Sequence, residues 1–195
     1  MITVYRIKRS PEFMSGFINT LKLSEQLWGG DSDSQLRQLN SMLMHNEPLS
    51  PIWKQGVSST FKKISPVSEK VPDISYWSGS MLLLNAGAYE LLKDRIGSEG
   101  EFLPITVDGK LMQIFNCLSS AREKEELCVQ RYFQGNLLPG LETLYFDDED
   151  VVDRFLFLSK LEGGKTLYCS SHFKALVEEL EFEGLGFDED LIGPF

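Results

Sequence analysis

Histidine is scarce in this chain: His45 and His172 are the only two among 195 residues. Zinc centres and most nucleophilic or acid–base mechanisms draw on imidazole, so the scarcity narrows the chemistry on offer. No HExxH, GxSxG, GxGxxG or phosphate-loop pattern occurs. Cys117, Cys128 and Cys169 make an odd set without a CxxC pair, which reads as reduced, packed thiols. Cys169 and His172 do have CxxH spacing, but no second ligand pair lies nearby and packing is the better reading. Neither a metal nor a cofactor is expected.

Long apolar runs are missing too. None approaches the roughly 18 to 20 residues of a membrane span, and runs such as Met81 to Leu84 are strand-sized. The opening MITVYRIKRS sets bases after a strand-like stretch, the reverse of a secretory signal, which predicts a cytoplasmic protein.

Positive charge is short in one region only. The net charge is -10, yet residues 1–139 hold acids and bases in equal number, so the whole surplus falls after residue 139. Such a field repels anionic membranes and nucleic acid and steers basic proteins inward. Direct nucleic-acid binding is disfavoured, since it rests on Lys and Arg neutralising phosphates. Two segments carry the surplus. In YFDDEDVVDRF, Asp147, Asp148, Glu149 and Asp150 are consecutive; in EELEFEGLGFDED, Glu178, Glu181, Glu183, Asp188, Glu189 and Asp190 alternate with Phe182, Leu185 and Phe187. The first run is no calcium loop, because Asp153 and Ser159 stand where the loop requires Gly and Glu. A helix amino-terminus, a solvated loop and a docking surface all remain open for it. These ten acids are the candidates for binding a partner.

What the chain does have is core material, 42% hydrophobic and 11% aromatic, which argues against disorder. ITVYRI alternates like a strand. WGGDSDSQLRQLNSMLMHNEP reads as turn, cap and helix, with Ser32 and Gln35 fitting a capping box. Pro51, Pro66 and Pro72 mark a loop-rich connection. It divides an amino-terminal strand and helix region, 1–72, from a main unit, 73–195, unless the two form one body. SMLLLNAGAYELLKDRI predicts a strand running into a helix capped by Asn85, and Asp108-Gly109 predicts a hairpin turn. AREKEELCVQRYF reads as a short helix. RFLFLSKLEGGKTLYCS reads as a strand pair turning at Gly163-Gly164, followed by a capped helix and a last strand. LLLNAGAYELL and LYCSSHFKALV repeat one strand–cap–helix unit. The expected class is α+β, a mainly antiparallel or mixed sheet of hairpins with capped helices packed on it, plus a small α/β amino-terminal part.

A family pattern runs through the same stretches. Asn85, then Gly100, Glu101, Phe102, Leu103 and Pro104, then Phe115 and Asn116 fall in its first half. Ser170, Phe173, Gly184, Leu185 and Phe187 fall in its second. Over roughly residues 75–190 the chain resembles a bacterial family first catalogued as a domain of unknown function and later assigned to immunity proteins of polymorphic toxin systems. Cys117 stands where that pattern has proline. The resemblance transfers no catalytic motif. It implies a cytosolic inhibitor that binds a cognate toxin stoichiometrically and occludes its active site. The acidic charge fits a basic toxin acting in the cytosol, such as a nuclease. Two other readings stay open. An enzyme of unrecognised type, such as a hydrolase reversing a toxin's modification, would show a cavity where His172, Cys169 or paired acids converge. An adaptor or assembly subunit would show an exposed apolar patch.

Overall fold

Met81 to Leu84 is apolar at every position because the strand it forms is covered on both faces: Leu82 and Leu84 enter one core, Leu83 another. In the computed structural model, which describes residues 2–30, 32–133 and 136–193, this strand lies inside a six-stranded sheet. Asp31 lies outside the described residues.

The first elements are β1 (Val4–Arg9), β2 (Ser15–Phe17), α1 (Thr20–Trp28), α2 (Asp33–Met44) and β3 (Ser58–Lys62). The central ones are β4 (Ile74–Ser78), β5 (Met81–Leu84), α3 (Ala86–Ile96), β6 (Gly100–Val107) and β7 (Lys110–Cys117). A ribbon of β8 (Val129–Phe133) and β9 (Asn136–Thr143) follows, then the short α4 (Asp148–Val151). The last elements are β10 (Leu156–Leu158), β11 (Leu167–Ser170), α5 (Ser171–Glu179) and β12 (Leu185–Asp188). The larger sheet has the order β2-β3-β6-β7-β5-β4 and is mixed, since β3 runs parallel to β6 while its other pairs are antiparallel. The smaller, β10-β11-β1-β12, is antiparallel throughout. The fold is α+β.

Local chemistry explains several elements. Asp108 and Gly109 both take positive φ, 48° and 79°, the requirement of a type I′ turn, and β6 pairs with β7 from Val107↔Lys110 to Gly100↔Cys117. Asn85 caps α3 by accepting from the Ala88 N–H at 2.8 Å. The repeated strand–helix unit is present twice, β5–Asn85–α3 and β11–Ser170–α5, and places Ala88, Leu92, Phe173 and Val177 in one core; Ser170 makes no side-chain cap bond, its hydroxyl donating instead to the Arg154 carbonyl at 2.6 Å.

Two expectations are corrected. Ser32 precedes α2 but makes no side-chain cap bond; its hydroxyl meets Ser34 Oγ at 2.8 Å, so the capping box does not form. Residues 121–133 are not a helix. They contain one 3-10 turn, Glu125–Leu127, and then β8, because β9 offers a pairing partner that a local reading cannot see.

β1 ties the chain together. Its register with β11 (Val4↔Ser170) and β12 (Arg6↔Asp188) puts it at the centre of a sheet otherwise made of residues beyond 155, while β2 and β3 belong to the larger sheet. The stretches before and after residue 72 therefore share both sheets. The sheets meet at β4 and β12. The Asp73 and Ile74 N–H groups donate to the Glu183 carbonyl at 2.9 and 3.2 Å. Gly184, at φ 122°, lies so close to the Ile74 carbonyl and Pro72 that a Cβ would collide with them. Trp77 bulges out of the β4–β5 register, and Arg9 donates to the carbonyls of Tyr76 and Trp77 there.

Three cores follow from this layout. Helices α3 and α5 cover both sheets on one side, burying Ile96 and Phe173 against Ile7, Ile74, Leu84, Phe115 and Leu167. On the other face of the larger sheet, Leu23, Leu27 and Leu39 pack on Leu83, Leu103 and Ile114. On the other face of the smaller sheet, Leu141, Leu144, Phe146 and Val151 cover Phe157 and Tyr168. That third cover leads directly into the acidic run.

Candidate functional site

Four adjacent acids need compensation, and the chain supplies most of it itself. Asp147 is the N-cap of α4 and accepts from the Glu149 N–H at 3.0 Å. Arg122 bridges Asp147 at 2.6 Å and Lys124 bridges Asp148 at 2.8 Å. Arg154 grips Asp150 through Nε and Nη2, both at 3.0 Å, while the Arg122 N–H donates to the same carboxylate at 2.8 Å. All three carboxyls sit below the ordinary range. The Glu149 N–H and then Arg122 hold Asp147 down, Lys124 holds Asp148, and Arg154 holds Asp150.

The second segment divides. Lys8 pairs with Asp188, and Arg6 reaches the same carboxylate at 3.4 Å; Lys8 first, then the Asp190 N–H, pull Asp188 down to about 2. Glu178 pairs with Lys174 at 2.6 Å on α5. Among the described residues Glu149, Glu181, Glu183 and Glu189 hold no ion pair.

The two segments converge at one place. Asp148 from the first, with Glu189 and Asp190 from the second, lines a groove of about 620 Å³, joined by Glu142 and opposed, among the described residues, by Lys124. Its apolar wall includes Leu127, Tyr145 and Ile192, with Tyr145 50% exposed and Leu127 46% exposed. Glu178, Glu181 and Glu183 do not line it; they fall at the end of α5 and ahead of β12. Glu149 and Asp150 turn toward a second cleft of about 340 Å³ shared with Glu99, Asp153 and Arg154.

In that second cleft Glu99 and Asp150 are already engaged. Glu99 accepts from the N–H groups of Phe155 and Leu156 at 2.6 and 2.7 Å, and burial raises its pKa despite those bonds. Asp150 belongs to Arg154. Cys169 is wholly buried, its thiol pushed well above the usual range by that burial, while His172 is exposed on α5. Burial likewise lifts Cys117 to about 12. Among the described residues no group of three His, Cys, Asp or Glu side chains is placed to hold a metal ion, and no helix is long and apolar enough to cross a membrane.

Residues of the family pattern serve the architecture. Asn116 donates to Glu101 at 2.9 Å and accepts from Ser80 at 2.9 Å, while Glu101 also accepts the N–H groups of Leu49 and Ser50. This knot pins the stretch after α2 to the β6–β7 hairpin. Gly100 lies against the Asn116 carbonyl, where a Cβ has no room.

Sequence reasoning missed Glu142 and Tyr145 as groove residues, and Arg122, Lys124 and Arg154 as partners of the acidic run. Arg154 was within reach, four residues from Asp150 on the helical period. Arg122 and Lys124 come from the preceding loop, and no spacing in the chain announces them. The chain matches no protein-family model and no curated protein.

Proposed function

We propose that the chain is an immunity protein: a cytoplasmic inhibitor that captures a basic, cytosol-acting toxin such as a nuclease, one to one, and covers its active site. The observation that carries this reading is the convergence of Asp148, Glu142, Glu189 and Asp190 around the exposed Tyr145 and Leu127 in one groove. Interfaces of this kind draw affinity from a desolvated aromatic or aliphatic centre, and speed and selectivity from the charged rim. The groove fits a projecting segment that carries an apolar side chain flanked by Lys or Arg. Glu178, Glu181 and Glu183 add to the attracting field without touching that segment. In the second cleft Glu99 is bound to backbone N–H groups and Asp150 to Arg154, which favours the binding reading over an enzymatic one.

Co-expression with the product of the adjacent gene tests the proposal. The partner alone is expected to be toxic in the cytosol, and this protein to relieve the toxicity and co-purify with it. Association is expected to slow as salt rises. Glu142→Lys with Glu189→Lys, two acids without ion pairs among the described residues, is expected to slow capture and leave the fold intact. Protection by that variant at the wild-type association rate would remove the groove from the interface; a harmless neighbour that forms no complex would end the reading.

A further inference from the structure

The acidic surplus conceals a second opening of opposite sign. β1 and β11 pair through Val4↔Ser170, Tyr5↔Cys169 and Arg6↔Tyr168, and there the ladder stops, although β1 continues to Arg9 alongside β12. Lys165 and Thr166 thus splay away from Ile7, Lys8 and Arg9, and the turn at Ser78 and Gly79 closes the far side. The result is a groove of about 430 Å³. Arg6, Lys8, Arg9 and Lys165 line it, and none of the described residues that line it is acidic.

Little inside the chain neutralises these cations. Asp188 serves both Lys8 and Arg6. Arg9 is bound by carbonyl oxygens, which carry no formal charge, and Lys165 has no partner among the described residues. Arg6 is only 8% exposed, its terminal nitrogens reach the Gly193 carbonyl and Asp188, and its Nε–H is buried with no acceptor among the described residues. A buried donor on a guanidinium without an acceptor is rare in folded proteins. That nitrogen is sealed from solvent, so what Arg6 brings to the groove it lines is a fixed positive charge.

We propose that this groove is a binding site for a phosphorylated small molecule, whose phosphoryl oxygens accept from Arg9 and Lys165 within the field of Arg6 and Lys8. A lone carboxylate brings one negative charge and two acceptors, less than the cationic excess left after Asp188. A phosphoryl group brings close to two charges and three acceptor oxygens, and the guanidinium fork matches that geometry. The hydroxyls of Ser78 and Thr166 stand on the same walls, and the volume leaves room for more than the phosphoryl group itself. The site is independent of the toxin-binding groove and is tested without any partner.

The test is calorimetric titration of the full chain with pyrophosphate, and separately with inorganic phosphate, at low ionic strength. One saturable site is expected, tighter for pyrophosphate. Lys165→Glu, at an exposed position, is expected to weaken binding about tenfold or more, and Arg9→Gln to do likewise. Lys110→Glu, at the exposed β6–β7 turn, serves as the control and is expected to leave the affinity unchanged. If pyrophosphate shows no saturation, or if Lys165→Glu binds as tightly as wild type, the proposal fails. An equal loss in Lys110→Glu would also overturn it, since a general field and not this groove would then attract the anion. Circular dichroism of each variant separates lost binding from lost fold.

Discussion

Glu99 and Glu101 stand two positions apart at the start of β6, and their carboxyls shift in opposite directions. Burial acts first on both. At Glu99 it prevails and raises the pKa; at Glu101 the bonds from Asn116, Leu49 and Ser50 together outweigh it and the pKa falls.

Opposite pH dependences follow at the two sites. Glu101 contributes stability that is present above the ordinary carboxylate range and is lost as pH falls through its depressed value. Glu99 works the other way, its contribution declining as pH rises from the ordinary carboxylate range to its raised value. Glu101→Gln is expected to cost about 1 to 3 kcal/mol at neutral pH and to shrink the loss of stability in acid. Glu99→Gln sets an amide N–H against the Phe155 or Leu156 N–H and is expected to cost a similar amount, with a flatter decline across the mildly acidic range. Urea unfolding at a series of pH values measures both; parallel profiles for the two variants would refute the assignment.

Gly184 and Gly109 both take positive φ, but only Gly184 is crowded. Gly109→Ala is expected to cost about 1 kcal/mol from backbone strain alone. Gly184→Ala adds a collision with the Ile74 carbonyl, where the two sheets meet, and is expected to cost more than about 3 kcal/mol. Thermal unfolding of the pair separates strain from crowding.

Asp150 holds the loop before α4 to the strand after it, through the Arg122 N–H and Arg154. Asp150→Asn is expected to cost about 1 kcal/mol, the pair being partly solvated. The loss is expected to vanish in acid once the wild-type carboxylate is itself protonated. A cost that persists unchanged in acid would place it in packing.

Tyr145 is half exposed, so Tyr145→Ala is expected to change stability by no more than about 0.5 kcal/mol. Under the inhibitor proposal it is expected to speed dissociation from the toxin by about tenfold or more. Surface plasmon resonance on the purified pair reads this directly, and an unchanged dissociation rate would displace Tyr145 from the interface.

How much of this was legible depends on range. The Asp108-Gly109 turn, the Asn85 cap and the Gly163-Gly164 hairpin are local, and each is visible in a few residues. The failures needed distant partners. Ser32 lost its capping role to a neighbouring hydroxyl, and residues 121–133 followed β9 into a ribbon instead of coiling. The centrality of β1 has no local signature, because its neighbours are made from the other end of the chain. The acidic segments were evident from charge alone, yet their division into an internally paired part and a groove-lining part was not. The basic groove was hidden for the same reason. Its cations come from segments around residues 6–9 and 165, and the first of these lies in a stretch whose charges cancel.

β1 also sets an order of events during synthesis. Its hydrogen-bonding partners on both sides, β11 and β12, leave the ribosome long after it does, so the strand must wait, without them, while the intervening chain is made. Closing so long a loop is slow, and a nascent chain cut short before β11 lacks the core that α5 and β1 build with α3. The smaller sheet therefore closes only after every strand of the larger one has been made.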